Sequence, residues 1–465
     1  MFDAMKKYSY LLLFFAITVF SIPSCKKDSL ITSGGALLQT STDTLHFDTV
    51  FTGAGSITQS FKIFNLNNQK LRISNISLSG GNGSYFKMNV NGSAGASFSD
   101  IDIAANDSIY VFVSVTASGS ASSLPFFIQD SILINYNGNN KYVQLDGYGQ
   151  NAHFFKDAVI ENDTIWTGDL PFVILGSLTV NENKKLTVEK GTKIYLHADA
   201  PFYINGSLQI NGEADNRVLF TGDRLDDPYK NFPASWPGII FSKTSTGNIL
   251  NNVSLLNATQ AITINGDGTG TQLNLNGCII NNGFKEGIIA TNSSINAVNC
   301  LITNCGENNL KLMGGRYNFT HSTVASYSNI LISHNGSVLY VSNHDDSLNQ
   351  YTLDASFVNS IFYGDGGLVD DEVLVSQTGS SANISFQNVL YKAISANTSL
   401  FTNSINNVDP AFAILDFENT LFDFHLTNSS PCIDTGTDTG ISTDLDGNPR
   451  NASLNNPDIG CYELQ

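Results

Sequence analysis

The chain has 465 residues, 42% of them hydrophobic, with only 14% charged and a formal net charge of −18. That balance argues against nucleic acid as a partner, because phosphates need clustered Lys and Arg, and against electrostatic docking on anionic lipid. The polar surface must come from Asn, Ser, Thr and Gly, and many β-branched residues in short apolar runs point to an all-β protein with room for two or three domains.

In chain order, residues 1–24 read as an export signal. Lys6 and Lys7 precede Tyr10–Phe20, an apolar stretch too short to span a bilayer. The segment closes on "SIPSC", with Ser24 directly before Cys25. This resembles a bacterial lipoprotein signal, which implies lipidation of Cys25 and membrane attachment through that lipid alone; an ordinary secretory signal is the other reading. Residues 25–36 then form a linker, and "KKDS" lacks an Asp directly after the cysteine, so inner-membrane retention is not signalled. The implied location is the cell envelope, lipid-anchored at the outer membrane, with the periplasmic or external face left open.

Residues 37–150 alternate apolar with polar in runs such as "TLHFDTVF", "ITQSFKIFNL" and "SIYVFVSVTA", separated by turns such as "GGNGS". Runs at this spacing suggest a sandwich of two antiparallel sheets. "FDTVFTGAGSITQSFKIFN" and "NDSIYVFVSV" resemble the Ig-like domain that precedes β-helices in envelope lipoproteins of Bacteroidota. A spacer or binding module fits this segment.

From residue 151 to 465 the texture changes to short strands ended by Gly or Asn. "LNLNGCIINNG", "INAVNCLITNC" and "YNFTHSTVASY" align with a shift of 22 residues, pairing Leu275 with Ala297 and Phe319, and Ile280 with Ile302 and Val324. Ile288, Leu310 and Ile332 are likewise 22 apart, and "NNVSLLNATQAITI" is an earlier copy at about 25. Periods of this size signify a solenoid. The expectation is a right-handed parallel β-helix, of the pectin-lyase-like kind, with coils about 4.8 Å apart. Cys278 and Cys300 then stack as small apolar core residues. Asn257, Asn282 and Asn304 recur at the following bend, where Asn tolerates the left-handed conformation. Glu307 stands one period after Lys285, an expected ion pair between coils.

"FDFHLTNSSPCIDTG" with "DLDGNPRNASLNNPDIGCYE" resembles the terminal Asp-Ile-Gly-x-Tyr-Glu motif of many β-helix surface proteins, and residues 422–465 are expected to cap the solenoid. Cys432 and Cys461 fall in this segment and could pair in an oxidising envelope. "DLDGN" invites a calcium reading through Asp444, Asp446 and Asn448, but an EF-hand-like loop wants Gly at its sixth position and Glu at its twelfth, where Pro449 and Asn455 stand. A turn with Arg450 paired to a nearby Asp is favoured. No cofactor or resident metal is expected, with Ca²⁺ the one weakly supported alternative.

Function is less legible. The fold hosts pectate lyases and polygalacturonases, but fold alone licenses no activity. Between Gly238 and Ile330 only Asp267, Glu286 and Glu307 are acidic, and no carboxylate set suited to sugar cleavage appears. No catalytic residue is assigned. Asp223, Arg224, Asp226 and Asp227 on one loop, with Arg316, are the candidate ligand-binding residues; a locally paired, exposed loop is the plainer reading of the first four. The leading expectation is a non-catalytic polysaccharide-binding surface lipoprotein, with a polysaccharide lyase or glycoside hydrolase, or a structural or adhesive protein, as alternatives.

Overall fold

The structure is a computed structural model that describes residues 29–52, 55–118, 125–268, 270, 272–379, 382–450 and 456–465. The expected export signal and the expected lipidation site, Cys25, lie outside the described residues. The chain divides into two compact units, the second running from Asn151 to Gln465.

The first unit is a β-sandwich. One sheet holds Leu30–Ile31, Lys70–Leu78, Phe126–Tyr136, Asn139–Gln150, Thr44–Phe51 and Ser97–Ile103; the other holds Leu38–Thr40, Gln59–Asn65, Ser108–Val115, Phe86–Val90 and Ser93–Ala94. Period-two alternation puts Phe61, Ile63, Val111, Val113, Ile132 and Ile134 between the sheets, fully buried. Each such side chain contributes about 1.5–3 kcal/mol by leaving water. Two details differ from expectation. Thr44–Phe51 pairs parallel to Asn139–Gln150, so the first sheet is mixed, not purely antiparallel. Leu30–Ile31, expected within a linker, adds a short parallel strand on Lys70–Leu78, because the pairing with Phe126–Tyr136 stops at Ile73 and leaves Lys70 and Leu71 unpaired on that side.

The second unit is a parallel β-helix with three strand columns. Coil after coil, the chain visits a first face (Val253–Leu256, Ile279–Asn281, Leu301–Thr303, Thr323–Tyr327), a second (Ile239–Phe241, Ile262–Asn265, Leu339–Ser342) and a third (Asn248–Asn251, Leu273–Asn276, Leu353–Val358, Ala382–Gln387). Ile288–Val298 and Leu310–Thr320 each bend to serve both the second and third faces. The pairings Leu275 with Ala297, Ala297 with Phe319, Ile280 with Ile302 and Ile302 with Val324 are all in register. Leu310, however, pairs with Leu339 and not through Ile332, because residues 328–337 are a loop inserted between the faces.

Rings stack along the interior at both ends, from Trp166 and Phe172 (4.2 Å between centroids) to Phe386 and Phe401 (4.4 Å). The coils around Cys278 and Cys300 are filled mainly by aliphatic side chains such as Leu255, Ile262, Leu275 and Ile280, and the two cysteines are buried there as free thiols. Burial raises the Cys300 thiol well above its usual range, so it stays protonated.

The segment from residue 407 onward does not close the end of the solenoid. It folds back along the outside of the first face, where Phe412, Phe424, Leu426, Cys432, Ile459 and Cys461 cover Leu301, Ala325, Tyr327, Ile361 and Leu390. It then climbs the corner between the third and first faces, whose bend residues Asn299, His321, Asn359 and Asn388 all have φ near +50°. Asn388 donates to Thr435 O, Asn359 to Thr437 O and Asn299 to Thr443 O, at 2.9, 2.7 and 2.7 Å. Arg217 reaches Leu445 O at 2.8 Å. We call the described residues of 432–463 the strap. Cys432 and Cys461 sit in its apolar underside as unbonded thiols, not as a disulfide. Arg450 is buried against Glu463 (2.9 Å) and the Gly460 carbonyl, so its partner is a glutamate, not the expected aspartate. Lys285 and Glu307 meet through backbone, the Glu307 N–H donating to Lys285 O at 3.3 Å, and their side chains form no ion pair.

Candidate functional site

The first-face strands Val253–Leu256, Ile279–Asn281 and Leu301–Thr303 run out into Asn257, Asn282 and Asn304, with φ of 64°, 63° and 53°. Asn accepts this left-handed turn because its short amide bonds locally. The repeat therefore stacks three amides at the corner between the first and second faces, each bonded to the coil before or after it. Asn282 Nδ2 donates to Asn257 Oδ1 at 2.7 Å, and Asn304 Nδ2 donates to Asn281 Oδ1 at 3.3 Å.

Two walls rise beside this ladder. One is the loop after Val218–Gly222, held by Asn257 donating to Lys230 O (2.9 Å) and Asn282 donating to Asn231 O (2.8 Å). The other combines the inserted loop 328–337 with the turn between Phe412–Asp416 and Leu421–Leu426, contributing Asn329, Leu331, Asn419, Thr420 and Phe422. The cleft between them measures ≈ 260 Å³. Its lining includes seven asparagines, Asn231, Asn257, Asn281, Asn282, Asn304, Asn329 and Asn419, and no charged residue.

Several of these amides are only half used. Asn281 Oδ1 accepts from Thr303 and Asn304, which leaves its Nδ2 open. Asn329 Oδ1 accepts from the Leu331 and Ile332 N–H groups, which leaves its Nδ2 open as well. Asn282 and Asn419 spend their Nδ2 groups on neighbours and keep Oδ1 as an acceptor. The cleft thus offers donors and acceptors together, without charge, beside the ring of Phe422.

The inserted loop is pinned from below by a pair that the sequence reading missed. His334 Nε2 lies 2.9 and 3.0 Å from the two carboxylate oxygens of Glu372, with side chains 1% and 0% exposed. Glu372 also accepts from the Val338 N–H at 3.1 Å. The two residues are 38 apart in the chain, outside any repeat. A trace they leave is Gly364, where an added Cβ would lie 2.3 Å from Glu372 Oε1 and 2.6 Å from His334 Nε2.

The residues singled out from sequence fall in two places. Arg224 grips Asp226 with two bonds of 2.6 and 2.7 Å and lies 4.1 Å over the Tyr229 ring. The Arg224 hydrogen bond lowers the Asp226 pKa. Asp223 bonds His197 at 2.7 Å, and its burial raises its pKa. Asp227 pairs with Lys230 at 2.9 Å. All four brace the loop that presents Asn231 to the cleft, and none of them lines it. Arg316 stands apart on the third face, in register with Asp354 and 3.7 Å from its carboxylate.

No family model matches the chain, and no curated protein matches it. Among solved structures, one similar to a part of the chain is a family 123 glycoside hydrolase from Clostridium perfringens, at 12% identity and a TM-score of 0.18 over 24% of this chain and 25% of that one. Another is the Vibrio cholerae VesB protease, at 18% identity and a TM-score of 0.17 over 24% of this chain and 31% of that one. The matched part spans at most about a third of those proteins, and likenesses this low carry no argument about function.

Proposed function

We propose that the β-helix is a non-catalytic binder of extracellular polysaccharide and that the asparagine cleft is where a sugar chain docks. The observation that carries this reading is the set of half-used amides at Asn281, Asn282, Asn329 and Asn419. A sugar hydroxyl both donates and accepts, so a row of amides with alternating open ends matches a run of hydroxyls. Phe422 and the partly exposed Phe284, two residues beyond Asn282, supply apolar surface for the C–H face of a pyranose. Cleavage would need a carboxylate pair across the bond, and the residues lining this cleft include none. Asp223, Arg224, Asp226 and Asp227 act in this reading as the brace of one wall, and Arg316 as part of a flat polar face alongside.

The same proposal places the protein at the outer membrane, tethered by lipid on Cys25, with an Ig-like first unit as spacer and a right-handed solenoid ending in the Asp-Ile-Gly-x-Tyr-Glu motif. It rests on the resemblance of the "SIPSC" segment and of the C-terminal motif to those of envelope lipoproteins. Affinity electrophoresis of residues 26–465 through gels containing different neutral polysaccharides tests the binding reading. Retardation by one intact polymer, reversed in Asn282→Gly, is the expected result. Loss of the polymer around the band would make the protein an enzyme, and free migration through every gel would favour a structural or adhesive role.

A further inference from the structure

The sandwich unit carries a second surface built for a different ligand. Strand Ser108–Val115 sends Val111, Val113 and Val115 into the core and Tyr110 and Phe112 outward, where they are 45% and 39% exposed. Their rings lie nearly parallel, 5.7 Å apart with 17° between planes. A single exposed ring needs no explanation, but two stacked rings on an open sheet face form a platform of the kind that marks binding surfaces.

The neighbouring strands complete it. Across one edge, Lys62 faces Tyr110 in register, its Nζ 4.7 Å from the ring centroid. Across the other, Asn89 faces Phe112 and Lys87 faces Ser114. A depression of ≈ 490 Å³ opens beside Phe112, and Thr58, Lys87, Asn89 and Ser114 are among the residues that line it. No carboxylate is among them. In a chain with net charge −18, Lys87 lines this depression and Lys62 lies beside it on Tyr110, with no acidic residue in the lining. Lys87 makes no ion pair among the described residues.

We propose that this face binds an acidic polysaccharide through its hexuronate units. The pyranose ring lies on Phe112 and Tyr110, its carboxylate meets the Lys87 ammonium, and its hydroxyls reach Asn89, Thr58 and Ser114. A charge-assisted bond to the carboxylate is stronger than a neutral one, and Lys62 adds positive potential while it lies on Tyr110. A neutral glycan would leave Lys87 unused. This site is separate from the asparagine cleft and does not depend on it.

The test is calorimetric titration of the full chain, at low salt, with tetragalacturonate, with its methyl ester and with a neutral glucose tetramer. The free acid should bind at least tenfold more tightly than the ester, a difference of about 1.4 kcal/mol. Lys87→Ala should bring the acid down to the level of the ester. Phe112→Ala should abolish binding of both, and Phe112→Trp should restore it. Lys87→Ala should leave the titration with the neutral glucose tetramer unchanged. Equal binding of acid and ester, no binding of the acid, or full binding by Phe112→Ala at an unaltered melting temperature would each overturn the proposal.

Discussion

Two corners of the solenoid are built from the same part and end in opposite states. At the corner between the third and first faces, Asn299, Asn359 and Asn388 turn the chain with left-handed backbone and give their amides to the strap. At the corner between the first and second faces, Asn257, Asn282 and Asn304 turn the chain in the same way, but their amides bond within the ladder and to the loop at Lys230 and Asn231, and leave a cleft. The filled corner shows what such a ladder holds: a polar segment whose carbonyls meet the amides of Asn388, Asn359 and Asn299, with His321 Nε2 meeting Thr439 Oγ1 at 3.1 Å between the last two. At Asn359 the match is reciprocal, Nδ2 donating to Thr437 O and Oδ1 accepting from the Thr437 N–H at 2.9 Å. Under the proposed function, a glycan strand would present the open corner with the same mixture of donors and acceptors.

The comparison is broken most severely at Arg450. Arg450→Ala leaves Glu463 buried without its cation, and breaking such a pair costs about 3–5 kcal/mol. Denaturant unfolding should show that loss, with the strap exchanging its amide hydrogens faster while glycan binding at the open corner persists.

Acid should act next, also on the filled corner. His321 is buried, and that burial, with the Arg450 charge beside it, holds its pKa down to about 3. In the unfolded chain the ring takes a proton near pH 6.5. Between these values the unfolded state binds more protons, so the stability conferred by neutral His321 is present above about pH 6.5 and drains as pH falls toward 3. His321→Asn, which keeps a residue tolerant of left-handed backbone, should flatten the fall of melting temperature with acid.

Paired substitutions sharpen the contrast. Asn359→Gly removes both bonds to Thr437 and should cost about 2–3 kcal/mol without altering glycan retardation. Asn282→Gly should cost about 1–2 kcal/mol and abolish that retardation. If the two variants lose binding equally, the cleft is not the docking site.

The smallest effect is expected at His425, which is stacked on Tyr462 and bonded to Asp446 at 3.0 Å. Burial opposes its charge, but the bonds to Asp423 and Asp446 outweigh it and raise its pKa. Its contribution is complete below the unfolded value near 6.5 and is lost as pH rises through the raised value. The ring is 40% exposed, so screening keeps the effect small. Hydrogen exchange near Asp446 should quicken modestly on the alkaline side and not in His425→Ala.

How much of this was legible in the sequence follows from the repeat. Ile280, Ile302 and Val324 are locked in register by a period of 22, so the parallel ladder and the buried cysteines could be read directly. The prediction for Ile332 failed because an inserted loop carries no periodic mark, and that loop supplies Asn329 and Leu331 to the cleft. The bend asparagines were legible as bends. Which corner stays open was not, because the answer depends on residues far along the chain, with Asn299 meeting Thr443 across 144 positions. Asp223, Arg224, Asp226 and Asp227 drew notice as charges, yet they bond one another or near neighbours, while the neutral Asn231 between them and the ladder faces the cleft.

The strap also bears on the order in which the molecule is completed. Coils that touch only their neighbours could form one by one as the chain is made. Arg217, however, waits for Leu445, 228 residues later, and the apolar outer side of the first face stays bare until Phe424, Ile459 and Cys461 arrive. A chain that folds in the order in which it is made is therefore a stack assembled early and lashed last. A transit through a membrane that feeds the chain in sequence order would deliver it with that seam open, to be closed only on the far side.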